Sequence, residues 1–257
     1  APMKMQLKAK LYERLANLYI LTGRFAEVLE TYKKSRKIYY ELKNPSIFRG
    51  SLIMFRIYSL LGQTRLIEND FKLLTEDIRH MQDFQKSRGY TCLLIVLELE
   101  HKNLQRAEEI IRNELPPRKN ERISFWEVRL MIEKQNYDRA LELISIRMED
   151  DTCTASGSHL ADHYFMAMML NQQGRYDEAL NSCLAALKTR RILQGDNSIK
   201  YIEAMVLLPE IYENLNEPEN ALAACDRLLH WWEKADPETP PLVQVTDRKE
   251  RLMQMPQ

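Results

Sequence analysis

Apolar residues return every three or four places along most of this chain, the period of a helix that buries one face. The run Tyr12-Glu-Arg-Leu-Ala-Asn-Leu-Tyr19 shows it before a short polar break, and Glu178-Ala-Leu-Asn-Ser-Cys-Leu-Ala-Ala-Leu187 shows it after another. The breaks share a grammar: a turn residue, often Gly or Asn, then an apolar or aromatic residue, two polar residues, and Ala or an equivalent. Six copies read GRFAEV (23–28), GQTRLI (62–67), KNLQRA (102–107), QNYDRA (135–140), GRYDEA (174–179) and NEPENA (216–221). Their last residues are spaced by 39, 40, 33, 39 and 42 places, a period that marks stacked helix pairs.

The physics of the pattern is local. The turn's Gly or Asn tolerates the left-handed backbone that ends the first helix. A connection this short folds the second helix back antiparallel to the first. Ala107, Ala140, Ala179 and Ala221 let the two helices approach closely, while Val28 and Ile67 fill that place more loosely, which predicts less regular first and second repeats. Proline and polar stretches divide the pairs at Asn44-Pro-Ser46, Pro116-Pro117, 152–158 and 236–241. The remaining Thr246 to Met255 reads as a short helix covering the end of the stack, or as the start of a next element.

The turns GRYDEA and QNYDRA resemble the tetratricopeptide repeat, as do Leu15 and Tyr19 before the first turn and Leu208 and Tyr212 before the last. The resemblance runs from about residue 10 to 235, strongest in repeats one, five and six. The long intervals look like the variant found in kinesin light chains, in bacterial regulators resembling the maltose activator, and in membrane-tethered sensors; Ala185 to Ser198 is the closest stretch. The resemblance implies an all-α, right-handed superhelical solenoid of about six antiparallel helix pairs. A single unit over 1–257 is expected, with repeats near 10–43, 46–87, 89–117, 120–150, 158–195 and 198–235, and 236–257 as tail or cap.

Composition fits this reading. Apolar residues at 45% supply a core, and charged residues at 29% supply wet helix faces. Only 7 glycines argue against a turn-rich sheet protein and against a glycine-rich nucleotide loop. The net charge of +0 hides a gradient: residues 1–50 carry 11 Lys/Arg against 4 Asp/Glu, and residues 161–257 carry 10 against 15. No run of 18 apolar residues offers a membrane span, and a cytoplasmic location is expected.

Candidate chemistry is sparse. No nucleophile elbow, P-loop or dinucleotide fingerprint is present, so an enzyme is not expected and no cofactor is called for. His159 and His163 share a helix face, but Leu160 stands where a zinc protease needs glutamate; the reading is a solvated helix start, with no metal. Cys92, Cys153, Cys183 and Cys225 form no Cys-x-x-Cys pair. Cys183 and Cys225 hold equivalent places one helix spacing apart, too far for a disulfide, and read as reduced core thiols. Lys33 to Tyr40 is basic and aromatic, but lies on a second helix, so a solvated outer face is expected rather than nucleic-acid contact. Of Trp231 and Trp232, one is expected to pack on the last turn and the other to stay exposed.

In this family the first helices of successive repeats line a concave groove. Carried over by the turn alignment, the groove places fall on Arg49 and Arg56, on Cys92 and Val96, on Arg122, Phe125, Trp126 and Arg129, and on Tyr164, Phe165 and Met168. The resemblance thus implies a basic, aromatic centre that binds a protein or peptide, in a scaffold or adaptor; the rival expectation is a ligand- or peptide-sensing region of a larger bacterial regulator. The chaperone-tail subfamily is not matched, because Glu13 stands where its lysine belongs, although Asn17 fits one place.

Overall fold

The computed structural model describes residues 2–78, 87–116, 123–149, 159–189, 192–193, 197–237 and 239–254. Among them are thirteen α-helices and no strand. In chain order they are α1 (Pro2–Leu21), α2 (Phe25–Glu41), α3 (Ser46–Leu60), α4 (Arg65–Ile78), α5 (Arg88–Glu100), α6 (Leu104–Glu109), α7 (Phe125–Glu133), α8 (Tyr137–Met148), α9 (His159–Gln172), α10 (Tyr176–Leu187), α11 (Asn197–Asn214), α12 (Pro218–Trp231) and α13 (Pro240–Met253). A π-helical turn, Ile110–Glu114, continues α6.

The six sequence turns share one backbone geometry. Their first residues all take positive φ: Gly23 at 69°, Gly62 at 68°, Lys102 and Gln135 at 57°, Gly174 at 77° and Asn216 at 59°. Each closes the preceding helix with the same two bonds. At the first turn the Gly23 N–H donates to Ile20 O at 3.1 Å and the Arg24 N–H to Tyr19 O at 3.0 Å, the Schellman pattern that satisfies otherwise orphaned carbonyls. Lys102 and Gln135 hold the same conformation without glycine's freedom, at a cost offset by those bonds. The sixth residues, Val28, Ile67, Ala107, Ala140, Ala179 and Ala221, are all buried.

The helices fall into two compact units, one of residues 1–16 with 27–146, the other of 17–26 with 147–257. In the first, α5 packs on α3 and α7 on α5, so first helices stack on first helices. Phe48, Phe55, Phe71 and Tyr90 form an aromatic chain with centroids 5.8–6.4 Å apart. Gly89 allows the close approach of α5 to α3: a Cβ there would stand 2.7 Å from the Phe48 Cβ. Arg36 of α2 reaches Asp70 of α4 at 2.6 Å, joining second helices. The rest of the basic α2 run follows expectation, with Lys33, Lys34 and Lys37 exposed.

In the second unit α11 packs on both α9 and α10, and α13 on α12. Asn171 of α9 donates to Glu210 at 2.8 Å and accepts from Asn214 at 2.9 Å, again linking first helices. Arg147 and Asp162 form a buried pair at 3.1 Å. Proline acts differently at two sites, and only the second corrects an expectation. Pro209 lies inside α11 rather than ending it, and the helix survives a missing N–H because Ile202, Leu208 and Ile211 bury its face. Pro240 and Pro241 do not merely end repeat six: they open α13, whose first turn needs no proline donor, and it runs longer than the expected cap.

Candidate functional site

Among the described residues, the expected groove places of the first unit lie on α3, α5 and α7. Ser124 sets the start of α7: its hydroxyl accepts from the Trp126 N–H, and Glu127 reaches back to the Ser124 N–H at 2.6 Å. This capping box orients Phe125 and Trp126, whose rings meet edge to face at 5.3 Å. Trp126 is 7% exposed, and its indole N–H donates to the Cys92 sulfur at 3.1 Å. Cys92 and Val96 are buried as well. Cys92 of the third repeat and Trp126 of the fourth are therefore in contact, and Trp126 is a core contact between helices rather than an offered surface. Phe125 is half-buried beside it.

The polar members surround this core. Arg49 is exposed near Glu13, whose carboxyl burial pushes above the usual range against the pull of Arg49, a Tyr39 hydrogen bond and Lys10. Burial and Glu13 in turn raise the Tyr39 hydroxyl to about 12. Arg56 is half-buried on α3. Arg129 pairs with Glu133 at 2.8 Å, and Lys102 reaches the same carboxylate at 2.9 Å. Burial opposes the Glu133 charge, but Lys102 and Arg129 outweigh it and hold the carboxyl below its usual range. Arg122 lies outside the described residues.

In the second unit, Tyr164 and Met168 are half-buried on α9, and Phe165 is 1% exposed. Phe165 presents no surface to a partner because Lys200 of α11 covers it. The Lys200 ammonium lies 4.5 Å from both the Tyr164 and Phe165 ring centres and pairs with Glu203. Aromatic faces and a carboxylate together accommodate a lysine that is itself 1% exposed. Nothing in a local sequence window pointed to Lys200, since its partners are 35 residues or more upstream apart from Glu203.

A cleft of ≈ 470 Å³ in the first unit holds none of the sequence-predicted residues. Its apolar floor includes Ile111, Leu130 and Leu143; Arg88, Arg112 and Arg139 stand among its polar lining. The π turn after α6 supplies Ile111 and Arg112. Arg112 pairs with Glu108 at 3.1 Å, and Arg88 donates to the Pro116 carbonyl. The only sequence trace of this cleft was the short interval between the third and fourth turns.

Other candidate chemistry resolves into packing. Cys92, Cys183 and Cys225 are buried free thiols, as expected; Cys183 donates to the Ala204 carbonyl at 3.3 Å, and burial pushes its thiol up to about 12. His159 and His163 lie with ring centres 6.5 Å apart, but both are half-buried, which corrects the expected solvated helix start. Burial also lowers the His163 pKa. Among the described residues no group of three or more His, Cys, Asp or Glu is gathered for a metal, and no helix is long and apolar enough to cross a membrane. Cys153 and His80 lie outside the described residues.

Trp231 is exposed and stacks on Tyr201 at 6.0 Å, while Trp232 is buried. The split is as expected, but the packing partner is not the last turn. Trp232 meets Phe25 edge to face at 6.2 Å and donates to Leu21 O at 3.1 Å. Asn17 donates to Leu193 O and accepts from Ser198, both at 3.1 Å, so its side chain is committed inside the fold. No family model matches the chain, and neither curated proteins nor solved structures yield a significant match.

Proposed function

We propose that this chain is a tetratricopeptide-type scaffold that binds a partner protein or peptide along its first helices, without chemistry on the ligand. The observation that carries the reading is the turn geometry, repeated six times at the sequence period with the same bonds and a buried residue five places on. Such repeats build a right-handed solenoid, and an extended surface of stacked helices is what these folds use for recognition. Arg49, Arg56 and Arg129 supply contacts suited to an acidic segment, with Arg122 joining them by sequence position. Phe125, and on the second unit Tyr164 and Met168, supply apolar area. Membership of the tetratricopeptide family, the single-unit solenoid and a cytoplasmic location belong to the same proposal.

The test is selection of binding peptides from a random extended library, followed by titration of one selected peptide. Acid-rich peptides are expected, with Arg49→Glu and Arg129→Gln each weakening binding about tenfold or more and Lys33→Glu on α2 leaving it unchanged. Thermal unfolding run in parallel separates lost contact from lost fold. No enrichment, or equal loss from Lys33→Glu, would overturn the reading.

The cleft favours a second reading, a sensor region of a larger bacterial regulator, because ≈ 470 Å³ is the scale of a small organic ligand. A ligand bound to the native state raises Tm. A screen of small carboxylates in which none raises Tm, or in which Arg139→Gln leaves the shift intact, would rule that reading out.

A further inference from the structure

The first helix carries an apolar seam that nothing among the described residues covers. Met3, Leu7, Leu11 and Leu15 are 82%, 59%, 55% and 38% exposed. They recur at every fourth place, so they run along one face for about 18 Å at 1.5 Å per residue. Lys4, Lys8, Lys10 and Arg14 are exposed around them, and no acidic residue shares that face. The one carboxylate of this stretch, Glu13, is half-buried beside Arg49 and Tyr39.

The repeat register tells what kind of object belongs there. Measured back from the turn residues Gly23 and Asn216, Leu7, Leu11 and Leu15 are equivalent to Lys200, Ala204 and Leu208 of α11. Those three are buried, at 1%, 0% and 3% exposure. The second helix of the preceding pair packs against α11, and its Cys183 thiol donates to the Ala204 carbonyl, at the place equivalent to Leu11. On α3 the places equivalent to Leu11 and Leu15, Gly50 and Met54, are buried too. On α3 and α11 this face is thus buried, in α11 against another helix, whereas on α1 the same face is open with leucines on it.

We propose that this seam docks an amphipathic helix of a partner protein, with apolar residues at i and i+4 flanked by Asp or Glu. The flanking charge selects among occupants. A second copy would set four cations against four cations, which repels. A membrane surface suits a broad apolar face with aromatic anchors, whereas this seam is one residue wide per turn and has no Trp or Phe. An acid-flanked helix fills both the seam and its cationic rim. The proposal concerns a surface separate from the groove places and rests on the exposed seam and its cationic rim, so failure of peptide binding at the groove would leave it standing.

The probe is a synthetic helical peptide with leucines at i and i+4 and glutamate flanks, compared with the same peptide carrying lysine flanks. The acidic peptide is expected to bind, and Leu11→Glu to weaken it about tenfold or more, without loss of helix content because Leu11 is exposed. Paired Lys4→Glu and Lys8→Glu, which leave two cations against two anions on the rim, should abolish the preference for the acidic peptide. Binding of both peptides equally, or of neither, overturns the proposal. So does concentration-dependent self-association abolished by Leu11→Glu, or sedimentation with anionic phosphatidylserine vesicles abolished by the same change. A Leu11→Cys thiol that resists labelling without peptide also overturns it, since the face would then already be covered.

Discussion

The Trp126 indole N–H donates to the Cys92 sulfur at 3.1 Å, tying the first helix of the fourth repeat to that of the third. Both side chains are buried, so the pair is a packing contact with a directional bond inside it. Trp126→Ala should therefore cost about 3–5 kcal/mol of stability by opening a cavity. Trp126→Phe should cost less, about 1–3 kcal/mol, by losing the N–H bond and part of the area. Urea unfolding of both variants checks this; a stable Trp126→Ala protein with weakened peptide binding would return Trp126 to the contact surface.

Ala179 and Ala140 are fully buried in the second helices of their repeats. Leucine at either place adds three carbons where no room is left, and should cost about 1–3 kcal/mol. An unchanged Tm for Ala179→Leu would show that the helices can separate at no cost.

The Cys183 thiol, raised to about 12 by burial, carries almost no thiolate at pH 8. Peptide mapping after iodoacetamide treatment at that pH should find Cys183 unmodified in the native protein and modified in urea. Rapid native labelling would mean that the α10 face opens readily.

Residues 232–236 hold the first turn. The Asp236 carboxylate accepts from the Ala26 N–H at 2.7 Å near the start of α2, and the Asp236 N–H donates to Gly23 O at 3.0 Å. Gly23 has φ 69°, and a Cβ on it would stand 2.7 Å from the Ala235 Cβ. Asp236→Ala should cost about 0.5–2 kcal/mol, the usual loss of a capping carboxylate. Gly23→Ala should cost at least about 1 kcal/mol through strain and displacement. Because both act on one contact, the double variant should lose less than the sum of the two, a coupling that denaturation curves can measure.

Glu13 gives a pH signature. Its pKa is raised above 4.5 in the folded chain, so the native state holds the proton more tightly than the unfolded one. Its contribution is thus most favourable at low pH and declines as pH climbs from about 4.5 through the raised value. Relative to Glu13→Gln, the wild type should lose stability across that window and stay level above it. A difference that grows with pH would show that Arg49 outweighs burial at this carboxyl.

The six turns and the helix pairs around them were legible in the residues because they depend on local chemistry. A Gly or Asn at C′, a proline between pairs and a small residue five places on act within one turn of backbone. Lys102 and Gln135 belong to the set despite lacking the favoured residue, since position in the pattern outweighs propensity once both helices are packed. The capping box of Ser124 and Glu127 obeys the same local chemistry in the spacing Ser-Phe-Trp-Glu, although it was not among the expected features. The alignment set Cys92 and Trp126 on successive first helices, but it could not tell which of two neighbouring aromatics, Phe125 or Trp126, turns inward.

The sequence alone determined the period, the pairing of helices and the exposed basic run of α2, because each follows from side chains within one or two turns of each other. Only the tertiary structure decided where Trp232 and Asp236 bind, how Lys200 is buried over Tyr164 and Phe165, and that Pro209 continues a helix. Trp232 and Asp236 meet partners some 210 residues away, and the fate of Pro209 depends on a face buried by other helices, so burial there is a property of the assembled packing. The seam on α1 belongs to both: its leucines are plain in the chain, but their exposure follows from the absence, among the described residues, of the helix that covers the same places on α11.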